Sequence, residues 1–307
     1  MRTALFIVLT LAFGTAIAAQ TAPTPVQKRV SYTTPTWSPD GKWLTYTRME
    51  MTPGTPPVMA AELYIIHADG TGMKRVIGDG EKVAMNPVFS RDGKTLFFSL
   101  MDKRTRSGDI YSAGISGSEP KKLTTNIYHA SSPRMSPDGK WIVFNGTLTA
   151  DAKDHFVQIF LMKSDGTAVK QLTNDPKISF YNPEWSPDGK QLVYYLERGD
   201  NKDQVWSMNA DGSDSKLLTA NIGHNFYPSW TADGKRIVFT SNRDGKQQLY
   251  TMNADGSDVK PLGIESFAVR YSPDGKRMVY AGGQFPNISI FVANADGSNP
   301  FQILPSK

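Results

Sequence analysis

Trp37-Ser38-Pro39-Asp40-Gly41-Lys42 returns as Trp185-Ser186-Pro187-Asp188-Gly189-Lys190, and four related turns stand between and beyond them. The six centre on Asp40, Asp92, Asp138, Asp188, Asp233 and Asp274, at spacings of 52, 46, 50, 45 and 41 residues. Self-similarity at such a period signals an array of one supersecondary unit. Pro presets the second turn position, Asp suits the third and Gly takes the left-handed one, so each turn predicts a tight hairpin.

Working outward, a large apolar residue stands three positions before each Asp: Trp37, Phe89, Met135, Trp185, Trp230 and Tyr271. Four positions after it come Leu44, Leu96, Ile142, Leu192, Ile237 and Met278, and two further on an aromatic, from Tyr46 to Tyr280. That period of two is the signature of a strand with one buried face. A second turn follows in every unit, at Gly70, Gly117, Gly166, Gly212, Gly256 and Gly297, each preceded by an aliphatic-aromatic pair and followed by another aliphatic. Four antiparallel strands per unit predict an all-β fold, a six-bladed β-propeller. Phe301 to Leu304 supplies the last outer strand. Ring closure is therefore expected to rest on packing between the first and sixth blades, with Val26 to Tyr32 available as an extra edge strand.

Residues 1–19 differ in kind: Arg2 precedes an apolar run from Ala4 to Phe13, and Ala16-Ile17-Ala18 fits a small-x-small cleavage site. This predicts a secretory signal peptide, too short in its apolar run to span a membrane stably. A flexible arm over 20–30, rich in Thr, Pro and Ala, and a propeller over 31–307 complete the expected domain order. With no cysteine the fold has no disulfide, and the expected location is periplasmic or secreted, as a monomer. Loss of Arg2 leaves +4 of the formal +5 charge. Each of the six turns places its Lys beside an Asp, a pattern that does not form the basic, aromatic-lined groove of a nucleic-acid binder.

The W-S-P-D-G-K turns at Trp37 and Trp185, with Met208-Asn209-Ala210-Asp211-Gly212 and Met252-Asn253-Ala254-Asp255-Gly256, resemble the repeat of the TolB-type propeller family over roughly residues 31 to 305. The resemblance implies a periplasmic propeller that binds protein partners of the cell envelope, a peptidoglycan-associated lipoprotein among them in TolB itself. TolB also carries an α/β domain ahead of its propeller. Here about a dozen residues separate the signal peptide from the first blade, so the resemblance is to a stand-alone propeller.

Both turn sets join first to second and third to fourth strands, which puts all of them on one face of the ring. The opposite face carries the variable connections, such as Thr47 to Ala61 with its M-T-P-G-T-P-P and the short Ser241 to Lys246. Binding is usually built on such loops. At the start of each blade, four residues before Pro35, Pro87, Pro133, Pro183, Pro228 and the equivalent Val269, stand Ser31, Val83, His129, Ser179, His224 and Glu265. One or two residues before the same position come Asn86, Tyr181, Asn182, Phe226 and Tyr227. Asn86, His129, Tyr181, Asn182, His224, Phe226, Tyr227 and Glu265 are the predicted binding residues at the channel mouth, a polar pocket with aromatic walls. Packing between blades and satisfaction of backbone groups at the rim explain the same residue types.

Neither G-x-S-x-G nor H-E-x-x-H occurs, and Gly93-Lys94-Thr95 lacks the upstream Gly of a phosphate loop. No catalytic residue, metal or cofactor is assigned. Two readings follow: a non-catalytic scaffold for an envelope protein or peptide, or a polysaccharide- or glycoside-acting enzyme or sugar-binding protein using His129, His224 and Glu265.

Overall fold

The S-P-D-G-K turns form as a closed hydrogen-bond circuit. Ser186 Oγ donates to Asp188 Oδ1 at 2.6 Å, the Lys190 amide donates to the same carboxylate at 3.1 Å, and the Gln191 amide donates to Ser186 Oγ at 2.9 Å. The same circuit recurs at Ser38, Ser90, Ser136, Thr231 and Ser272. The serine hydroxyl and the amide hold the Asp188 carboxyl below the usual carboxylate range. Gly189, at φ +72°, occupies the left-handed position that the turn requires.

The computed structural model describes residues 28–52, 58–78, 82–103, 105, 107–149, 156–197, 202–220, 222–284 and 286–304. The expected signal peptide, most of the expected arm and His155 lie outside them. Among the described residues there are 24 strands, in successive antiparallel groups of four. The last four groups are separate four-stranded sheets, whereas the first two, expected as separate blades, form one eight-stranded sheet through a parallel bridge between Ala61 and Val83.

That bridge has a local cause. The segment from Thr47 to Ala61, expected as a loop, is mostly strand: β2 (Trp43–Thr52) and β3 (Val58–His67) pair in register from Trp43–His67 to Thr52–Val58. These ten-residue strands outreach the six- and seven-residue pairs of the last four units. The extra length projects from the loop face as an arm and brings Ala61 against the second unit. Arg48 pairs with Glu50 at 3.2 Å and Arg75 with Glu62 at 3.0 Å along it.

The first strands of the units are β1 (Arg29–Trp37), β5 (Lys82–Phe89), β9 (Tyr128–Met135), β13 (Ser179–Trp185), β17 (Asn225–Trp230) and β21 (Ser266–Tyr271). Each touches the next around the ring, and β21 touches β1, so these strands line the axis. β1 begins at Arg29 and pairs with β2 from there on, so Arg29 to Tyr32 extend this inner strand and do not form an extra edge strand. Apolar residues at the predicted period fill the spaces between sheets: Leu44, Leu96, Ile142, Leu192, Ile237 and Met278 are all 0% exposed. Closure follows the expectation. Trp37, Leu44 and Tyr46 pack on Val279, Ile290 and Val292, and Phe301–Gln302 stays with its own sheet. Hydrogen bonds add to it, from the Tyr32 amide to Ile288 O at 2.9 Å and from the Trp37 indole to Arg270 O at 3.1 Å.

Candidate binding site at the ring mouth

Every first strand is interrupted at one register. The pairing shifts between Thr33 and Thr36, Met85 and Val88, Ser131 and Arg134, Tyr181 and Glu184, Phe226 and Ser229, and Phe267 and Arg270. At each shift the residue just before the proline position has a left-handed backbone: Thr34, Asn86, Ser132, Asn182, Tyr227 and Ala268, with φ between +49° and +55°. These are β-bulges, which re-aim a side chain and free backbone amides from the ladder. Side chains of the preceding unit take up some of the freed amides: the Asn182 amide donates to Asn145 Oδ1 at 3.0 Å and the Ser132 amide to Ser99 Oγ at 3.2 Å. Asn tolerates the left-handed region; Tyr227 is a bulky residue held there by the same scaffold.

The bulges of the fourth to sixth units carry a run of touching rings. Tyr181 stacks on Tyr195 with centroids 5.5 Å apart, and Tyr195 meets Tyr227 edge-on at 6.0 Å. Phe226 lies 5.2 Å from Tyr227 and 4.6 Å from the His224 ring, and Tyr227 reaches Phe267 at 6.1 Å. His224 Nδ1 stands 3.5 Å from the buried Asp203 carboxylate. Burial raises the phenols of Tyr181, Tyr195 and Tyr227, and the charge of Glu197 raises the first two further. Burial lowers His224. At neutral pH the arc therefore presents neutral hydroxyls and an uncharged imidazole on apolar rings.

Of the predicted residues, Tyr181, His224, Phe226 and Tyr227 are brought together. Asn86 and Asn182 hold bulge positions, as does the backbone of His129 at φ +52°. Glu265 is two-thirds exposed and faces Lys246 at 3.8 Å. No three of the His, Asp and Glu side chains among the described residues converge as metal ligands, so His129, His224 and Glu265 do not form a metal site. Tyr195 and Phe267, which complete the arc, lie outside the predicted set. Tyr195 stands opposite Tyr181 across the β13 ladder, a neighbour that cross-strand pairing rules can find once the bulge register is known.

The position just after each proline was also missed. Arg134, Glu184 and Arg270 occupy it in the third, fourth and sixth units, and there they meet: Arg134 Nε donates to Glu184 Oε2 at 2.9 Å, and Arg270 Nη2 lies 2.7 Å from the same oxygen. The fifth unit stands between the fourth and the sixth, so this contact crosses the interior of the ring. On the turn face, two open clefts of about 340 and 380 Å³ lie between neighbouring turns and are lined by the repeat's own residues, Asp40 and Asp92 in one and Asp188 and Asp233 in the other.

The sequence matches the model of the TolB beta propeller domain over residues 22–180 and 153–306. The chain belongs to that family. An uncharacterized protein of Agrobacterium fabrum is 30% identical over 164 residues, 52% of each chain. The Tol-Pal system protein TolB of Francisella tularensis is 28% identical over 58% of this chain and 40% of its own length. These alignments span about half or less of the curated relatives. The crystal structure of TolB from Acinetobacter baumannii superposes with a TM-score of 0.67 at 22% identity, over 93% of this chain and 65% of that one. That likeness supports the shared propeller fold. No helix among the described residues is long and apolar enough to cross a membrane.

Proposed function

We propose that this protein is an exported, non-catalytic propeller that binds a protein or peptide partner of the cell envelope at the mouth of its loop face. We read the successive groups of four strands as six blades, the eight-stranded sheet being two blades joined by the arm, and residues 1–19 as the signal that directs the chain to the periplasm. The observation that carries the reading is the aromatic arc of Tyr181, Tyr195, Phe226, Tyr227 and Phe267 on one side of the mouth. Rigid aromatic rings with neutral hydroxyls offer large apolar area and hydrogen bonding at low entropic cost, the composition of energetically dominant spots in protein interfaces. The resemblance to TolB points to the same class of partner.

A photo-crosslinking amino acid placed at position 226, or at position 140 on the turn face, tests this in intact cells. The expected result is a discrete polypeptide adduct from position 226 that is absent from position 140 and diminished by Tyr227→Asn. Equal adducts from both positions, or none from the mouth, overturn the reading.

A further inference from the structure

We infer that the ring interior holds an anion site between Arg134 and Arg270, suited to a carboxylate. This goes beyond the partner-binding reading and stands independently of it.

The charge balance is the starting point. Two guanidiniums share one carboxylate: Arg134 and Arg270 both approach Glu184 Oε2, at 2.9 and 2.7 Å. The side chains are 10%, 13% and 16% exposed for Arg134, Arg270 and Glu184, so one net positive charge is withdrawn from most of its water. Each arginine is pinned by a backbone carbonyl in its own strand, Arg134 Nη1 on Pro133 O at 2.8 Å and Arg270 Nη1 on Val269 O at 2.7 Å. Those bonds fix the guanidinium planes. Among the described residues no hydrogen bond engages Arg134 Nη2 or Arg270 Nε, so each plane keeps one nitrogen whose N–H donors are unengaged. Burial, aided by the charge of Arg134, lowers Arg270 to about 10 against the pull of Glu184, the mark of an under-compensated cation. Paired, preorganised guanidinium donors match a carboxylate's two oxygens better than any neutral ligand. A second carboxylate would neutralise the excess charge and satisfy the remaining donors.

The indoles report on the site, since Trp185 Nε1 donates to Arg134 O and Trp37 Nε1 to Arg270 O, each at 3.1 Å. Acetate titrated at constant ionic strength should change tryptophan fluorescence saturably and raise the thermal midpoint. Arg270→Met should weaken acetate at least ~10-fold. Glu184→Gln, which removes the internal competitor and leaves both cations, should tighten it by ~10-fold, the effect of about 1.4 kcal/mol. A purely structural ion-pair lock predicts only lost stability in Glu184→Gln and no gain in affinity. Comparing N-acetyl-aspartate N-methylamide with its asparagine analogue separates the sources. Saturation by acetate and by the aspartate compound but not its asparagine analogue indicates that a polypeptide side chain fits, and saturation by acetate but by neither of these indicates a free small carboxylate; either supports the site. Absence of a saturable acetate response in the unmodified protein, unchanged affinity in Arg270→Met, or no gain in affinity in Glu184→Gln overturns it. Should Arg270→Met not fold, the Glu184→Gln titration decides alone.

Discussion

The turn face and the mouth are built by the same strands, yet one is nearly six-fold repetitive and the other is not. On the turn face each unit presents the same Ser or Thr, Asp and Gly in the same hydrogen-bond circuit. At the mouth the left-handed bulge residue is Thr, Asn, Ser, Asn, Tyr and Ala in turn, and the axial position after it is Thr36, Val88, Arg134, Glu184, Ser229 and Arg270. A hairpin turn has one local solution, so repetition preserves it. A side chain projecting into a shared interior is judged by what the other units project, so identical units there would only repeat one charge or one ring. The backbone stays symmetric while chemistry diverges where the strands converge.

The largest effects should come from positions where symmetry and burial coincide. Leu44→Ala and Leu192→Ala, both at 0% exposure, should each cost about 2–5 kcal/mol in denaturant unfolding. A difference much beyond about 1 kcal/mol between them would break the equivalence of the units. Next comes the axis, where equivalence is absent. Glu184→Leu strands two buried guanidiniums and should cost about 3 kcal/mol, whereas Arg270→Met leaves a neutral Arg134–Glu184 pair and should cost under about 1 kcal/mol. Equal losses would mean that the triad's charge imbalance has no energetic consequence.

Ser186→Ala opens one turn circuit and should cost about 1 kcal/mol, matched by Ser38→Ala when both are read by thermal unfolding. The smallest effect is a slope with pH. Burial makes His224 harder to protonate in the native protein than in the unfolded chain, whose value lies near 6.5. The unfolded chain therefore takes the proton first. Stability is fullest above that value and declines as pH falls through it toward the lower native one. His224→Phe should flatten this slope in denaturation midpoints measured between about pH 5 and 8, while the turn-face serine variants keep it.

Much of this was legible in the chain. The period, the two turn sets and the strand-facing residues follow from local rules, because hairpin turns demand particular residues and a strand with one buried face alternates. The arc was partly legible: Tyr181 and Phe226 stand two residues before the proline position, Tyr227 one and His224 four; Phe267 holds the same register as Tyr181, before Val269, yet lies outside the predicted set, and Tyr195 joins only through a ladder partner. The arm escaped prediction because M-T-P-G-T-P-P reads as a loop and hides the paired residues on either side. Arg134, Glu184 and Arg270 lie dozens of residues apart, and no pairwise spacing reveals that three strands aim them at one point.

Chain order alone thus dictates the repeated unit, its four strands and the uniform face, since all of these are decided by residues within one hairpin of each other. Tertiary structure decides which units meet across the axis, which rings touch, that the first two sheets fuse and that two arginines share one carboxylate. Those outcomes depend on ring closure, which places residues from non-adjacent units within 3 Å of each other, and no local rule carries information over that separation.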